Sequence, residues 1–187
     1  VLISTGADVN ALQSDGTSAL LYAVYQGDTE LVGKLLEVGA DASHANAYGA
    51  VALEEATMQG NVENLQLLLD HGADPNQSNP EGETALMVAA RSGNLAAAKL
   101  LLEHGADVNA RESWGGQSAV MWAAAQSQSE MLKLLIAKGA DINAHGTARL
   151  WDRRILSEPR PKDMNKGGFS PLLYAARQGC TPCIQTL

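Results

Sequence analysis

Aromatic side chains are scarce in this chain: eight in 187 residues, with one phenylalanine among them. A core built from such a composition is packed through leucine, alanine and valine rather than rings, which suits pairs of helices. Cysteine is nearly absent. Two residues, Cys180 and Cys183, rule out the multi-disulfide framework of small secreted domains. No apolar run approaches the roughly 20 residues of a membrane-spanning helix. Positive charge is in deficit, with 13 Lys/Arg against 21 Asp/Glu and a net charge of −8. That balance disfavours nonspecific binding to nucleic acid or to anionic membranes. No secretory signal is visible and the first residue is Val1 rather than methionine, so the compartment is left open. Equally absent are a Gly-rich phosphate loop, a Gly-x-Ser-x-Gly elbow and a histidine cluster. Nothing in the sequence supports catalysis, a cofactor or a metal.

What the chain does have is a period. Gly-Ala-Asp stands at 6–8, 39–41, 72–74, 105–107 and 139–141, at intervals of 33, 33, 33 and 34 residues. A fixed spacing in this range signals stacked supersecondary units. An aliphatic run such as Leu67-Leu-Leu69 reads as one face of a helix, and Gly72 is placed to stop it in the left-handed conformation. The Asp that follows can accept backbone hydrogen bonds in a turn. Each copy reads as helix, stop, sharp exit.

A second periodic segment precedes each stop. Gly16-Thr-Ser-Ala-Leu-Leu-Tyr-Ala23, Gly49-Ala-Val-Ala-Leu-Glu-Glu-Ala56, Gly82-Glu-Thr-Ala-Leu-Met-Val-Ala89, Gly116-Gln-Ser-Ala-Val-Met-Trp-Ala123 and Gly168-Phe-Ser-Pro-Leu-Leu-Tyr-Ala175 align without gaps. Together with Gly-Ala-Asp-x-Asn they resemble the ankyrin pattern Gly-x-Thr-Pro-Leu-His-x-Ala, over nearly the whole chain. The resemblance implies an all-α solenoid: two antiparallel helices and a β-hairpin finger per repeat, with binding on the concave face, usually of another protein. The family's histidine is replaced in all five copies, by Leu21, Glu54, Met87, Met121 and Leu173. Ser18, Thr84, Ser118 and Ser170 can still cap the first helix of a repeat, whereas Val51 cannot.

The boundaries follow from the register. Residues 1–12 are the tail of a repeat, and Val1-Leu-Ile3 implies a natural protein extending further toward its N-terminus. Full repeats run 13–45, 46–78, 79–111 and 112–145, and a partial one 165–187, forming one elongated domain over 1–187. The fourth repeat takes an extra residue in its finger, at Ser113-Trp-Gly-Gly116. It also carries Ser127 where the others have Gly27, Gly60, Gly93 and Gly179. Between the fourth and fifth units lies an insert of about 19 residues, 146–164. Residues 144–166 carry a net +3 while the remainder carries −11. The insert is either a solvated loop folding back on acidic neighbours or a partner contact. Partial docking through Trp151, Ile155 and Leu156 is expected, with 157–165 loose.

None of the aromatics lies in a second helix. Tyr22, Trp122 and Tyr174 share one position of the first helix and either anchor a partner or fill space between repeats. Tyr48 and Trp114, at finger tips, favour contact. Cys180-Thr-Pro-Cys183 has redox spacing, but Pro182 suits a first helical turn and Cys183 occupies the aliphatic slot of Leu31 and Met131. Structural packing is the preferred reading. His71 and His104 mark the repeat register at helix C-termini. Glu54 and Glu55, being adjacent, are expected on different sides of their helix.

A protein-binding scaffold is the favoured function; a regulatory or targeting segment of a longer enzyme and a purely structural array are the alternatives. The partner would be another protein, with the chain monomeric or associated end to end through uncapped repeats. Partner contact is expected at Tyr48, Met58, Glu83, Arg91, Trp114, Gln117, Trp122 and Gln126, with Trp151, Arg153 and Arg154 contributed by the insert. Amide exchange is expected to be slowest over 46–135.

Overall fold

The computed structural model describes residues 7–147 and 168–187. Expectations for Val1–Ile3 and for residues 148–164, including Trp151, Arg153 and Arg154, lie outside the described residues. Ten helices are present among those described: α1 (Ala19–Gln26), α2 (Thr29–Glu37), α3 (Ala52–Gln59), α4 (Val62–Asp70), α5 (Ala85–Ser92), α6 (Leu95–Glu103), α7 (Ala119–Ala125), α8 (Ser129–Ala137), α9 (Pro171–Gln178) and α10 (Thr181–Thr186). Each odd helix packs on the even helix that follows it and on the odd helices before and after. The even helices pack in a row behind them. The result is two layers of short helices joined by one continuous apolar seam. Leu20, Leu53, Leu86 and Val120 from the odd layer and Leu35, Leu68, Leu101 and Leu135 from the even layer are all buried in it.

The turn inside each pair is set by one residue. Gly27, Gly60, Gly93 and Gly179 adopt φ between 68° and 76° and close the odd helices. At the fourth turn Ser127 holds φ 58°, the one non-glycine residue with positive φ among those described. Asp28, Asn61 and Asn94 then cap the even helices, each accepting from a backbone N–H at 3.0 Å.

Caps on the odd helices differ from expectation. Ser18 and Ser170 accept from Leu21 and Leu173 N–H, at 3.2 and 3.4 Å. Thr84 and Ser118 occupy the N-cap position but make no side-chain cap bond. Both hydroxyls are buried without a partner among the described residues. At Val51 the cap is missing as its side chain dictates.

Strand-like pairing among the described residues is limited to three isolated antiparallel bridges, Leu12 with Ser18, Ala45 with Val51 and Ser78 with Thr84. These close the first, second and third fingers. In the fourth finger the extra residue widens the loop. There the Glu112 carboxylate fills the gap, accepting from Gly115 N–H at 2.7 Å and Gln117 N–H at 2.9 Å, as well as from Trp114 N–H.

Candidate functional site

Apolar side chains left in solvent are unevenly distributed. Tyr22, Tyr25, Tyr48, Met58, Trp114, Leu172 and Leu173 are exposed on fingers or odd helices, whereas the even helices and their exits expose Leu31, Val38 and Ile184. Every exposed aromatic among the described residues therefore lies on the finger side of the molecule. Tyr48, at 76% exposure, and Trp114, at 63%, are the most open of these side chains. Each sits on a finger.

The sequence-derived residues form two groups and some outliers. Glu83, Arg91 and Trp122 make a string across two successive units. Glu83 pairs with Arg91 at 2.8 Å, and the Arg91 guanidinium stands 5.4 Å from the centre of the Trp122 ring. Trp122 is consequently half-buried, and its indole N–H meets no acceptor among the described residues. Gln117 donates to the Tyr174 hydroxyl, and Tyr174 in turn meets Phe169 edge-on at 5.4 Å. Of the position shared by Tyr22, Trp122 and Tyr174, the first is exposed and the other two are half-buried against the core. Gln126 is exposed at the C-terminus of α7.

Tyr48 and Met58 belong to the second group. They border a recess of about 170 Å³ between the second and third fingers, with Glu54, Glu55, Asn79, Glu81 and the backbone of 49–51 completing its walls. Glu54 and Glu55 thus share one concavity, although as neighbours they are expected on different sides of their helix. Adjacent helical residues diverge by only about 100°, and both directions fall on the half of α3 that faces the fingers. Glu54 is buried and accepts from Asn79 Nδ2 at 3.0 Å. Glu55 is half-buried and accepts from Gln59 Nε2 at 2.8 Å. Burial raises the Glu54 carboxyl above the usual range, and the negative charge of Glu83 pushes the same way, against Asn79 and Arg91. Tyr25, on α1 beside this group, has its phenol raised by burial and then by Glu55, Asp15 and Glu54. The local field is negative.

Cys180 and Cys183 are buried as the packing reading required, but they are also joined in a disulfide. One turn of α10 brings their Cα atoms to 5.2 Å, inside the range a disulfide can bridge. His71 and His104 turn Nδ1 onto the carbonyls of Leu67 and Leu100 at 2.8 and 2.9 Å. The two are register marks, as their spacing indicates. Sequence reasoning passed over the recess because its walls come from two fingers and a helix, 25 or more residues apart in part. A signal was present: Glu54 is the one charged residue in a row otherwise made of Leu21, Met87, Met121 and Leu173.

No helix among the described residues is long and apolar enough to cross a membrane, and no group of three or more His, Cys, Asp or Glu is arranged to hold a metal. The family model for ankyrin repeats in three copies matches residues 1–79 and 72–145. This chain belongs to the ankyrin repeat family. Its fold is similar to that of the ankyrin repeat protein EF0377, known from a crystal structure, with a TM-score of 0.81 and 27% sequence identity over 99% of this chain and 86% of that one. No curated protein matches at a significant level. Ankyrin repeats are in general protein–protein interaction modules, and proteins of the family are in general non-catalytic scaffolds.

Proposed function

We propose that this chain is a non-catalytic scaffold, working as one array over 1–187, that binds another protein through its fingers and odd helices. The observation that carries this reading is the segregation of exposed aromatic and sulfur side chains onto that face. Exposed aromatics supply large contact area at low entropic cost and are enriched among binding anchors. Tyr48, Met58, Trp114 and Gln126 are exposed on this face. The Glu83–Arg91–Trp122 string supplies a preorganised polar strip between them, since Arg91 is already held at both ends. Gln117 sits at its edge, and Trp151, Arg153 and Arg154 of the insert are assigned to partner contact on their residue types alone. The net charge of −8 disfavours nonspecific binding to nucleic acid or anionic membranes.

Alanine substitution at Tyr48, Trp114 or Trp122 tests the assignment. Each anchor removed weakens binding of an identified protein partner by about 2 kcal/mol, while Glu103→Ala and Lys133→Ala on the even layer leave it unchanged. Affinity that survives all three aromatic changes moves the site elsewhere. Removal of 146–164, read at low and high salt, reports the insert's share: an electrostatic contribution is lost mainly at low salt.

A further inference from the structure

We propose that the recess between the second and third fingers receives a lysine or arginine side chain of the protein partner. The inference rests on the scaffold reading and names what one part of that surface selects. Size is the first ground. Pockets for drug-sized molecules run about 300–1,000 Å³, so a recess of about 170 Å³ holds a single long side chain.

Chemistry is the second. Tyr48 and Met58 line the recess; side chains of this kind match the aliphatic stem of a basic residue, and a tyrosine ring also attracts a cation. Glu54, Glu55 and Glu81 border it as well, and none of the three has a cation within ion-pair distance among the described residues. The described ion pairs on this face end at Glu83 with Arg91. Negative charge is therefore gathered around the recess, and among the described residues the cation whose charge reaches Glu54 is Arg91, already paired with Glu83.

The burial of Glu54 supplies the third ground. It is only 8% exposed, in a row where the other units place Leu21, Met87 and Met121, each 1% exposed or less. One of its oxygens accepts from Asn79; the other accepts no hydrogen bond from a described residue. A buried carboxylate without a direct ion pair lowers stability, and the neighbouring units with Leu21, Met87 and Met121 show that an apolar side chain fits the slot. A costly charge aimed at a concavity is the pattern of a binding site. A bound ammonium or guanidinium completes it, donating to the free oxygen of Glu54.

The test is selection of a random peptide library on the full chain, followed by affinity measurements on Glu54→Gln, Glu54→Leu and, as a control on the even layer, Glu103→Gln. Circular dichroism confirms that each variant is folded. Selected peptides should carry Lys or Arg at one fixed position, and replacing it with norleucine should weaken binding about tenfold or more. The same loss should follow Glu54→Gln and Glu54→Leu and be absent in Glu103→Gln. Binders without a fixed basic position, or binders indifferent to both Glu54 variants, overturn this inference and leave the scaffold reading standing. A library that yields no binder at all overturns both. Self-association of the chain that Glu54→Gln abolishes would assign the recess to a second copy and overturn the inference as stated.

Discussion

Asn76 holds Asp107 across the boundary between two helix pairs. Its Oδ1 accepts from the Asp107 N–H at 2.6 Å while its Nδ2 donates to the Gly105 carbonyl at 3.1 Å. The same double bond joins Asn10 to Asp41 and Gly39, and Asn109 to Asp141 and Gly139. This is the structural meaning of Gly-Ala-Asp-x-Asn: the Asn of one unit satisfies backbone groups of the next.

The ladder has one weak rung. Ser43 stands where Asn is expected, and its hydroxyl reaches only the Asp74 N–H, at 3.2 Å. The Gly72 carbonyl receives no matching donor from it. Ser43→Asn should restore the second bond and raise the stability of the chain by about 1 kcal/mol. Urea denaturation measures it as a higher midpoint at unchanged slope.

A second local defect lies inside α4. Asn64 is fully buried, and neither atom of its amide has a partner among the described residues. The equivalent slots carry Leu31, Ala97, Met131 and Cys183. A buried amide without partners costs about 1–3 kcal/mol, and leucine has nearly its shape. Asn64→Leu should therefore stabilise the chain by an amount in that range. A drop in midpoint would show that the amide is satisfied by a group that the described contacts do not include.

Glu54 gives stability a pH dependence of definite sign. Its folded-state carboxyl lies above the ordinary 4.5, raised by burial and by Glu83 and opposed by Asn79 and Arg91, with Glu55 adding a smaller push upward. The folded state thus holds this proton more tightly than the unfolded state does. Its contribution falls as pH rises through the raised value and is most unfavourable near neutrality. Glu54→Gln should be more stable than the natural sequence at pH 7, and the gap should close as pH falls to 4.5. Glu83, Glu55 and Arg91 remain in both chains, so the difference isolates the one group. A gap that widens toward acid would reverse the assignment.

How much of this was legible in the sequence depends on the range of each interaction. Gly72 as a helix stop, Asn94 as a cap and the hydrogen bonding of the Asp after Gly-Ala are local, and each could be read from a few residues. The silent hydroxyls of Thr84 and Ser118 were not legible, because cap geometry depends on how the finger delivers the chain to the helix. Glu112 was hidden for a different reason. The extra residue at 113–116 was plain, but its accommodation by a carboxylate reaching three N–H groups is a matter of side-chain reach. The recess around Glu54 joins three separate segments, and Trp122 is covered by Arg91 from the preceding unit. Neither relationship has a signature within one repeat, although the misfit of Glu54 in an apolar row was in view.

The last expectation concerns where the array opens first. Repeat stability is the sum of each unit's own terms and its interfaces, so burial per helix ranks the units. α5 buries six of its eight residues, Ala85 through Ala90, and α7 buries five of seven. α9 buries only Pro171 and Ala175, and α10 only Cys183. Leu172 and Leu173, near 50% exposure, contribute little to holding α9 against α7. Native-state hydrogen exchange should therefore be slowest in α5 and α7, within 46–135, and fastest in α9 and α10, which open as a local unit before the rest unfolds. Equal protection of α5 and α9 would mean that interfaces outside the described contacts hold the last pair. A binding partner seated on Leu172 and Leu173 would have the same effect, and slowing of α9 exchange when a partner is added would locate that partner directly.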